Sequence, residues 1–404
     1  MKVLTTNPPY RNTTALVRAL GREGVEVHVL GFTNPKGVEL DGQAFHSKYC
    51  AGRHFSRDPR RDMDGFVDDL CEILEREKFD VLLPVSTNTV IPVSKHAERI
   101  RPLCPFPFPD YDKVEAAHNK ATMIRIAEEA GVGVPRTRLI EPGADLDAML
   151  EDYVFPVILK TRKGGGSNGV FPAATREELA AIVEKLELKP QSDPTGECTD
   201  SSSPMLQEYI PGMIYDIPFI AEDGEVLAHV VQYRERMLPV DGGSGMINKT
   251  CDFEPARKAA FDLVKATGWT GIGLVEFKLD ANGVPRLMEL NPKFWGTLDL
   301  SIRAGVNFPM LACQQAMGQP VSRPEYRRGL RYRWMIPDGI RTVRASEDRA
   351  RAAWEFFSPL RASTTSEVWV RDFGPTKFAM DQMLAGRRQK KRSQKAAAAK
   401  AAAT

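Results

Sequence analysis

Apolar residues in the first part of the chain follow two alternating patterns. Lys2 to Thr5, Val25 to Leu30 and Phe79 to Val85 are short continuous apolar runs, the mark of strands buried on both faces. Between them, apolar residues recur at helical spacing: Leu16, Val17 and Leu20 within Thr13 to Glu23, then Phe66, Val67, Leu70, Ile73 and Leu74 within Asp64 to Lys78. Asn12 or Thr13 is placed to cap the first helix, and Gly24 to end it. Strand, helix, strand, helix, strand predicts a parallel α/β unit over residues 1–109. No GxGxxG follows the first strand; the loop there is Asn7-Pro8-Pro9-Tyr10-Arg11-Asn12, which is not a dinucleotide fingerprint. Pro102 to Pro109 reads as an extended, proline-rich linker.

Beyond it, Asp110 or Asp112 opens a helical stretch that Gly131 stops, with Lys120 inside it. Phe155 to Lys160 is a strand ending in a lysine. Gly164-Gly165-Gly166-Ser167-Asn168-Gly169 follows, and Val170 to Ala173 returns as a second strand. A glycine loop between two strands can fold its backbone N–H groups over phosphates, because no Cβ blocks the approach; alone it is equally a flexible surface hairpin. Thr175 to Glu178 forms a capping box opening a helix to about Leu188, and Lys189 to Pro204 is a polar loop. Met205 to Ile210 is a strand, closed by Pro211-Gly212. Val226 to Tyr233 reads as a further strand, followed by Arg234, Arg236 and a glycine-bearing loop at 239–245. Phe253 to Thr267 reads as a helix.

The chemistry concentrates in Gly271 to Gly296. Gly271 to Leu279 and Pro285 to Leu290 are two strands around the turn Ala281-Asn282-Gly283. Side chains alternate along a strand, so Glu289 and Asn291 point the same way, and the hairpin can bring Glu276 beside them. Two carboxylates and an amide oxygen are hard ligands suited to Mg2+. Glu289 sits among apolar neighbours in LMELNP, a costly place for an unpaired charge.

This hairpin resembles the metal-binding end of the ATP-grasp superfamily, in particular its carbamoyl-phosphate-synthase-like carboxylate–amine ligases. The residues that carry the resemblance are Val275-Glu276-Phe277-Lys278, Leu287-Met288-Glu289-Leu290-Asn291-Pro292 and Phe294-Trp295-Gly296. That family commonly has Arg where this chain has Lys293, which keeps the charge but loses the bidentate fork. The resemblance implies an ATP-grasp domain at 110–320 with a small glycine-loop α+β lid at about 145–205 and a larger α+β metal-binding subdomain. The parallel α/β domain at 1–109 would precede it, and an extension at 321–385 would pack on the core. It implies Mg2+, or alternatively Mn2+, on Glu276, Glu289 and Asn291. ATP would be held by Lys120, Lys160, Gly164, Gly165, Gly166, Ser167 and Gly169, with Gln207, Glu208, Tyr209 and Ile210 at the adenine edge and Asp216 at the ribose. Arg234, Lys293 and Asn291 would stabilise the transferring group, with Arg234 preferred to Arg236. The loops at 7–12 and 86–89 would face the acceptor.

By the same resemblance, a carboxylate is phosphorylated by ATP and the acyl phosphate is attacked by an amine. Direct phosphorylation of a substrate, carbamoyl-phosphate-type chemistry and a degenerate ATP-binding regulator are the alternatives. Arg303 is expected to be a solvated helix charge.

Composition narrows little. The 404 residues include 55 basic and 53 acidic side chains, so no global field selects nucleic acid. The six Cys form no CxxC and no cluster with His, which argues against a zinc site and a disulfide framework. No signal peptide and no bilayer-length apolar run is found, so the expectation is a cytoplasmic protein with small-molecule carboxylate and amine substrates, no nucleic acid and no membrane. A homodimer is expected by analogy alone. Gly329 to Ile336 is a predicted strand, and Ala352, Trp354, Phe356 and Phe357 are expected to cover the core. Residues 386–404, basic and then alanine-rich without interleaved aromatics, read as a disordered or frayed helical tail.

Overall fold

The computed structural model describes residues 1–141, 144–164, 169–187, 204–238, 243–358 and 364–402, and sorts them into three sheets. The first is built from β1 (Lys2–Thr6), α1 (Arg11–Arg22), β2 (Glu26–Phe32), β3 (Cys50–Ser56), α2 (Met63–Glu77), β4 (Val81–Leu83), α3 (Thr87–Lys95) and α4 (Ala97–Ile100). Its strand order is β3-β2-β1-β4 and every pairing is parallel, the α/β unit the two periods predict. Leu4, Leu16, Leu20, Leu30 and Phe66 are fully buried there, each worth ~1.5–3 kcal/mol relative to exposure.

Several local features differ from the sequence reading. Helix α1 starts at Arg11, so the expected caps Asn12 and Thr13 lie inside it and bond elsewhere: Asn12 Nδ2 donates to Phe294 O (2.9 Å), and Thr13 Oγ1 to Asn7 O (2.7 Å). Residues 87–89, read as loop, open α3, which carries Pro92 inside it. The proline-rich stretch at 102–109 is not a free spacer. Cys104, Phe106 and Phe108 are buried and Leu82 N donates to Pro105 O (2.9 Å).

Next come α5 (Tyr111–His118) and α6 (Lys120–Glu129), where the sequence suggested one helix. Asn119 splits them: its side chain accepts from Ala121 N (3.2 Å) and Thr122 N (3.4 Å), capping α6 and setting Lys120 in its first turn. The second sheet follows from β5 (Thr137–Leu139), α7 (Leu146–Leu150), β6 (Val157–Lys160), β7 (Val170–Ala173), α8 (Arg176–Glu187) and β8 (Met205–Glu208). It is antiparallel, in the order β5-β8-β6-β7, with its own small core around Leu159, Leu179 and Leu206. Half of the capping box at α8 forms, with Glu178 N donating to Thr175 Oγ1 (3.3 Å), while Glu178 Oε2 accepts from Ala174 N (2.8 Å), one residue before the cap. Of the loop read at 189–204, all but Pro204 lies outside the described residues.

The largest sheet uses β9 (Ile214–Glu222), β10 (Glu225–His229), β11 (Gln232–Leu238), β12 (Ser244–Thr250), α9 (Glu254–Thr267), β13 (Gly271–Leu279), β14 (Pro285–Asn291), α10 (Leu298–Arg303) and α11 (Phe308–Ala316). It is completed by β15 (Arg331–Arg333), α12 (Asp338–Ala345), α13 (Arg349–Phe357), β16 (Thr364–Ser366) and α14 (Gly374–Ala402). The strand order is β14-β13-β9-β11-β12-β15-β16, with β10 on the side of β9. The single strand read over 226–233 is two in line, β10 and the start of β11, both antiparallel to β9 and separated at Val230–Val231. Strand β9 was not anticipated, although all of it except Glu222 is buried.

The hairpin of β13 and β14 is the one the sequence describes. Asp280 closes it, its Oδ1 accepting from Asn282 N and Val284 N, both at 2.9 Å. Phe294, Trp295, Leu298 and Phe308 just beyond it join the core of the first sheet, so a boundary at 109 divides the chain but not the packing. Of the four C-terminal apolar residues expected over the core, Ala352 and Phe356 are buried, whereas Trp354 and Phe357 are exposed. The tail read as disordered or frayed is helical as far as Ala402. No described helix is long and apolar enough to cross a membrane.

Candidate active site

The largest sheet aligns polar side chains in one transverse row. Gln232 of β11 pairs with Asp216 of β9, Asp216 with Glu276 of β13, and Glu276 with Glu289 of β14. Directly opposed residues of antiparallel strands present their side chains on the same face. Asn291, two residues beyond Glu289, shares that face and donates through Nδ2 to Glu289 Oε1 (2.7 Å). Three acids thus lie side by side on three adjacent strands, which sequence alternation within the hairpin gives for Glu276 and Glu289 but not for Asp216.

Protein cations face them. Arg234, two residues on from Gln232, donates to Asp216 from Nε (3.1 Å) and from a terminal nitrogen (2.8 Å), and also pairs with Glu276. Arg236 turns away and pairs with Glu355 (2.9 Å), which separates the two arginines. Lys120 Nζ donates to Gly164 O (2.6 Å) and lies 3.9 Å from Glu289 Oε2. Lys160, at the end of β6, is buried with its Nζ 4.0 Å from Met288 Sδ.

Crowding like charges in a buried place contests their ionisation. Burial, with Asp216 and Glu289 beside it, pushes the Glu276 carboxyl up to about 8 despite the opposing Arg234. Burial would raise Glu289 too, but Lys120, the Asn291 hydrogen bond, Lys293 and Lys160 outweigh it and hold that carboxyl below the usual range. Burial and then Lys120 pull the Lys160 ammonium down to about 8. For Arg234, burial works against charge, yet Asp216 and Glu276 raise its pKa further. His118, two residues before Lys120, is drawn down to about 3 by burial and by Lys120, Lys293 and Lys163. Sequence reasoning missed His118; its only signal was closeness to Lys120.

Gly164 and Gly169 are the described ends of the glycine loop. Gly164 O is the acceptor for Lys120, and Thr161 N donates to Gly169 O (2.8 Å). Gly169 has φ +72°, and a Cβ there would fall 2.0 Å from Thr161 Oγ1, so only glycine fits. Gly165, Gly166 and Ser167 lie outside the described residues, as do 239–242 of the other loop.

The hinge residues take two directions. Gln207 is buried and donates from Nε2 to Thr137 Oγ1 (2.9 Å), while Glu208 Oε1 accepts from Arg136 N (2.9 Å), so both side chains hold β5 rather than standing free. Ile210 O accepts from Lys278 Nζ (2.9 Å), and the same ammonium lies 5.1 Å from the Tyr209 ring centre. Asp216, expected at a ribose, is 3% exposed and has its oxygens engaged by Arg234 and Gln232. Gln232, which the sequence did not single out, donates to Thr297 Oγ1 (2.5 Å), and its Oε1 is buried without a hydrogen-bond partner. Arg303, expected to be solvated, is tied to Asp299 (2.9 Å) and Thr365 (2.8 Å), because α10 packs inside the C-terminal extension.

Two family models match the chain: the RimK-like ATP-grasp domain over residues 117–234, and "ATP-grasp in the biosynthetic pathway with Ter operon" over 200–336. The chain is 28% identical over 177 residues to a D-alanine--D-alanine ligase of Haemophilus ducreyi, covering 40% of this chain and 53% of that protein. Among solved structures, an L-amino acid ligase from Bacillus licheniformis has a TM-score of 0.58 at 17% identity, with 78% of this chain and 74% of that one covered. A biotin carboxylase from Campylobacter jejuni has a TM-score of 0.62 at 17% identity, with 82% and 74% covered. At these identities the structural likeness shows the fold. The chain spans between 8% and 53% of the length of the curated relatives it matches.

Proposed function

This chain belongs to the ATP-grasp superfamily, and from that premise we propose that it is an ATP-dependent carboxylate–amine ligase. In this reading ATP phosphorylates a carboxylate, an amine attacks the acyl phosphate, and ADP and phosphate leave. The observation that carries it is the row Asp216–Glu276–Glu289 facing Arg234 and the buried Lys120 and Lys160, with Gly164 O accepting from Lys120. Such an arrangement holds highly charged phosphates by position and charge rather than by a covalent nucleophile.

The donor set fits a divalent cation. Glu276, Glu289 and Asn291 offer hard oxygens, Gln232 Oε1 nearby is a buried acceptor without a partner, and burial with Asp216 and Glu289 alongside raises the Glu276 carboxyl, a cost that a bound cation relieves. We assign Mg2+, or Mn2+, to Glu276, Glu289 and Asn291. When bound, it supplies Lewis-acid neutralisation of phosphate charge. Lys120 and Lys160 bind phosphate oxygens, Lys120 exchanging its bond to Gly164 O for one of them. Gly164 to Gly169 cover the phosphates with backbone N–H groups. Tyr209 and Ile210 supply the main-chain edge for adenine. Gln207 and Glu208 brace that edge through β5, and Asp216 positions Arg234 rather than touching a ribose. Arg234 and Lys293 oppose negative charge on the transferring phosphoryl group. The acceptor enters from the side of residues 7–12, whose Asn12 already bonds the hairpin's continuation at Phe294. An amino acid or small peptide suits the kinship to a ligase of D-alanine and an L-amino acid ligase.

The test is ADP release with Mg2+ and ATP against amino acids and carboxylic acids, singly and in pairs, beside Glu289→Gln. Turnover needing a pair, reduced at least about 1000-fold in the variant, is expected. Turnover with one acid and no amine replaces the ligase by a kinase-like reaction. Turnover undiminished by the substitution removes the assigned site.

A further inference from the structure

A second group of metal-type ligands lies in the first sheet, on β2, β3 and the end of α2. His28 Nδ1 and His54 Nε2 face each other at 2.8 Å, their ring planes 16° apart and centroids 5.1 Å apart. Glu77, the last residue of α2, completes a set in which one ligand atom from each residue lies within 4.8 Å of the others. Parallel pairing makes this possible: Leu30 is opposite His54, so His28 stands one step back on the same face.

Three further observations bear on what this set can do. The other ring nitrogen of His28, Nε2, bonds Glu26 Oε1 (2.9 Å). A carboxylate on one imidazole nitrogen fixes the proton there and turns the other nitrogen into a lone pair, the arrangement that orients metal-binding histidines. Gly52 is opposite His28, and a Cβ at that position would fall 2.3 Å from Nδ1. The space in front of the lone pair thus exists because residue 52 has no side chain. Phe79 meets both imidazoles edge-on, at 5.2 and 5.7 Å between centroids, giving the two rings a common wall.

We propose that His28 Nδ1, His54 Nε2 and Glu77 bind a late first-row transition-metal ion, with Zn2+ as the representative. Two imidazoles and a carboxylate are a borderline donor set that suits Zn2+ and its neighbours and disfavours Mg2+ and Ca2+. Without metal, His54 donates its Nε2 proton to His28; metal binding requires that this proton move to His54 Nδ1 and that the two nitrogens part from 2.8 Å to about 3.3 Å, the span of two ligands on one tetrahedral ion. Glu77 exchanges its contact with Lys2 Nζ (3.1 Å) for the ion. His54 and Glu77 are only half-buried, which leaves room for water as the fourth ligand. The ion would staple the edge strand β3 to β2 and to the end of α2. This site stands apart from the hairpin acids, so it holds or fails independently of the ligase reading.

The experiment uses the untagged full chain, stripped with a chelator and held in excess Mg2+ so that hard oxygen sites are occupied. Zn2+ is titrated by competition with a chromophoric chelator, and Co2+ by its visible absorption. One Zn2+ per chain, undisturbed by Mg2+, is expected, with an intense Co2+ spectrum of low coordination number. His54→Gln and Glu77→Gln, both at partly exposed positions, are expected to weaken Zn2+ by roughly tenfold or more. Zinc raises the thermal midpoint of the parent protein and not of these variants. His28→Gln is read only if its far-ultraviolet dichroism matches the parent. Absence of stoichiometric binding, or equal affinity in both His54→Gln and Glu77→Gln, overturns the proposal.

Discussion

Two of the buried charge networks among the described residues obey opposite rules. One joins α1 to the C-terminal extension. Asp372 accepts from Arg18 Nε, from Ser47 Oγ and from Lys48 N, each at 2.8 Å, while Arg18 also donates to Asp372 O (2.7 Å) and Glu367 O (2.9 Å). Both residues are 3% exposed, and each charge has its partners. The other network is the row Asp216–Glu276–Glu289 with Arg234, Lys120 and Lys160. There, Glu276 and Lys160 are both driven to about 8 by burial and by like-charged neighbours. A complete network fastens two parts of a fold. A network whose members contest their own ionisation is a candidate to receive further charges, and in the proposed function these are phosphate and a divalent cation.

The difference is broken most forcefully by swapping damage between the two. Asp372→Ala strands Arg18 in the interior and is expected to cost about 3–5 kcal/mol in urea unfolding, with turnover per folded molecule unchanged. Lost turnover at retained stability would contradict the fastening role. Lys160→Ala is expected to do the reverse: the KM for ATP rises roughly 10–100-fold, or about 1.4–2.8 kcal/mol, while stability holds, because a buried cation repelled by Lys120 is removed. Steady-state kinetics beside a melting curve distinguishes these outcomes.

The smallest effect is one of pH. His118 is held near 3 when folded but titrates near 6.5 when unfolded, so the unfolded chain takes up the proton first. The stability this group contributes is present above pH 6.5 and is lost as pH falls from there towards 3. His54 and His229, both drawn to about 4 by burial first, act in the same sense. His118→Gln should therefore shrink the loss of melting temperature between pH 7 and pH 5 by a few degrees, on the order expected for about 1 kcal/mol in a large chain. An unchanged pH slope would exclude His118 as a contributor.

How much of this was legible depends on how locally it is encoded. The hairpin could be read because its turn, its alternation and its acids lie within 26 residues, Gly271 to Gly296. The family reading, resting on that hairpin and the ordered lysines before it, agrees with the matched family models. Strand β9 escaped because IYDIPFIAE carries Asp216 and Pro218 amid its apolar residues, although it is the strand on which the row depends. Strand β3, CAGRHFS, lacks apolar alternation because it is an edge strand half-exposed to solvent. The break at Asn119 escaped because a capping side chain and an ordinary helical asparagine look the same in sequence. Partners such as Asp216 for Arg234 and Glu355 for Arg236 are 18 and 119 positions apart, and only the sheet and the C-terminal helices bring them together.

Because the acids stand on one rung across β9, β13 and β14, the centre is written crosswise to the chain. Adding one residue within any of these strands would turn that strand's acid to the other side of the sheet. The hydrogen-bonded ladder would survive nearly intact. The turn at 281–283 and the loops beyond the strands carry no such constraint. Tolerance to insertion and deletion should therefore be graded by parity inside these strands and by little else outside them, so that a drifting lineage can lengthen its loops freely while its three strands stay in phase.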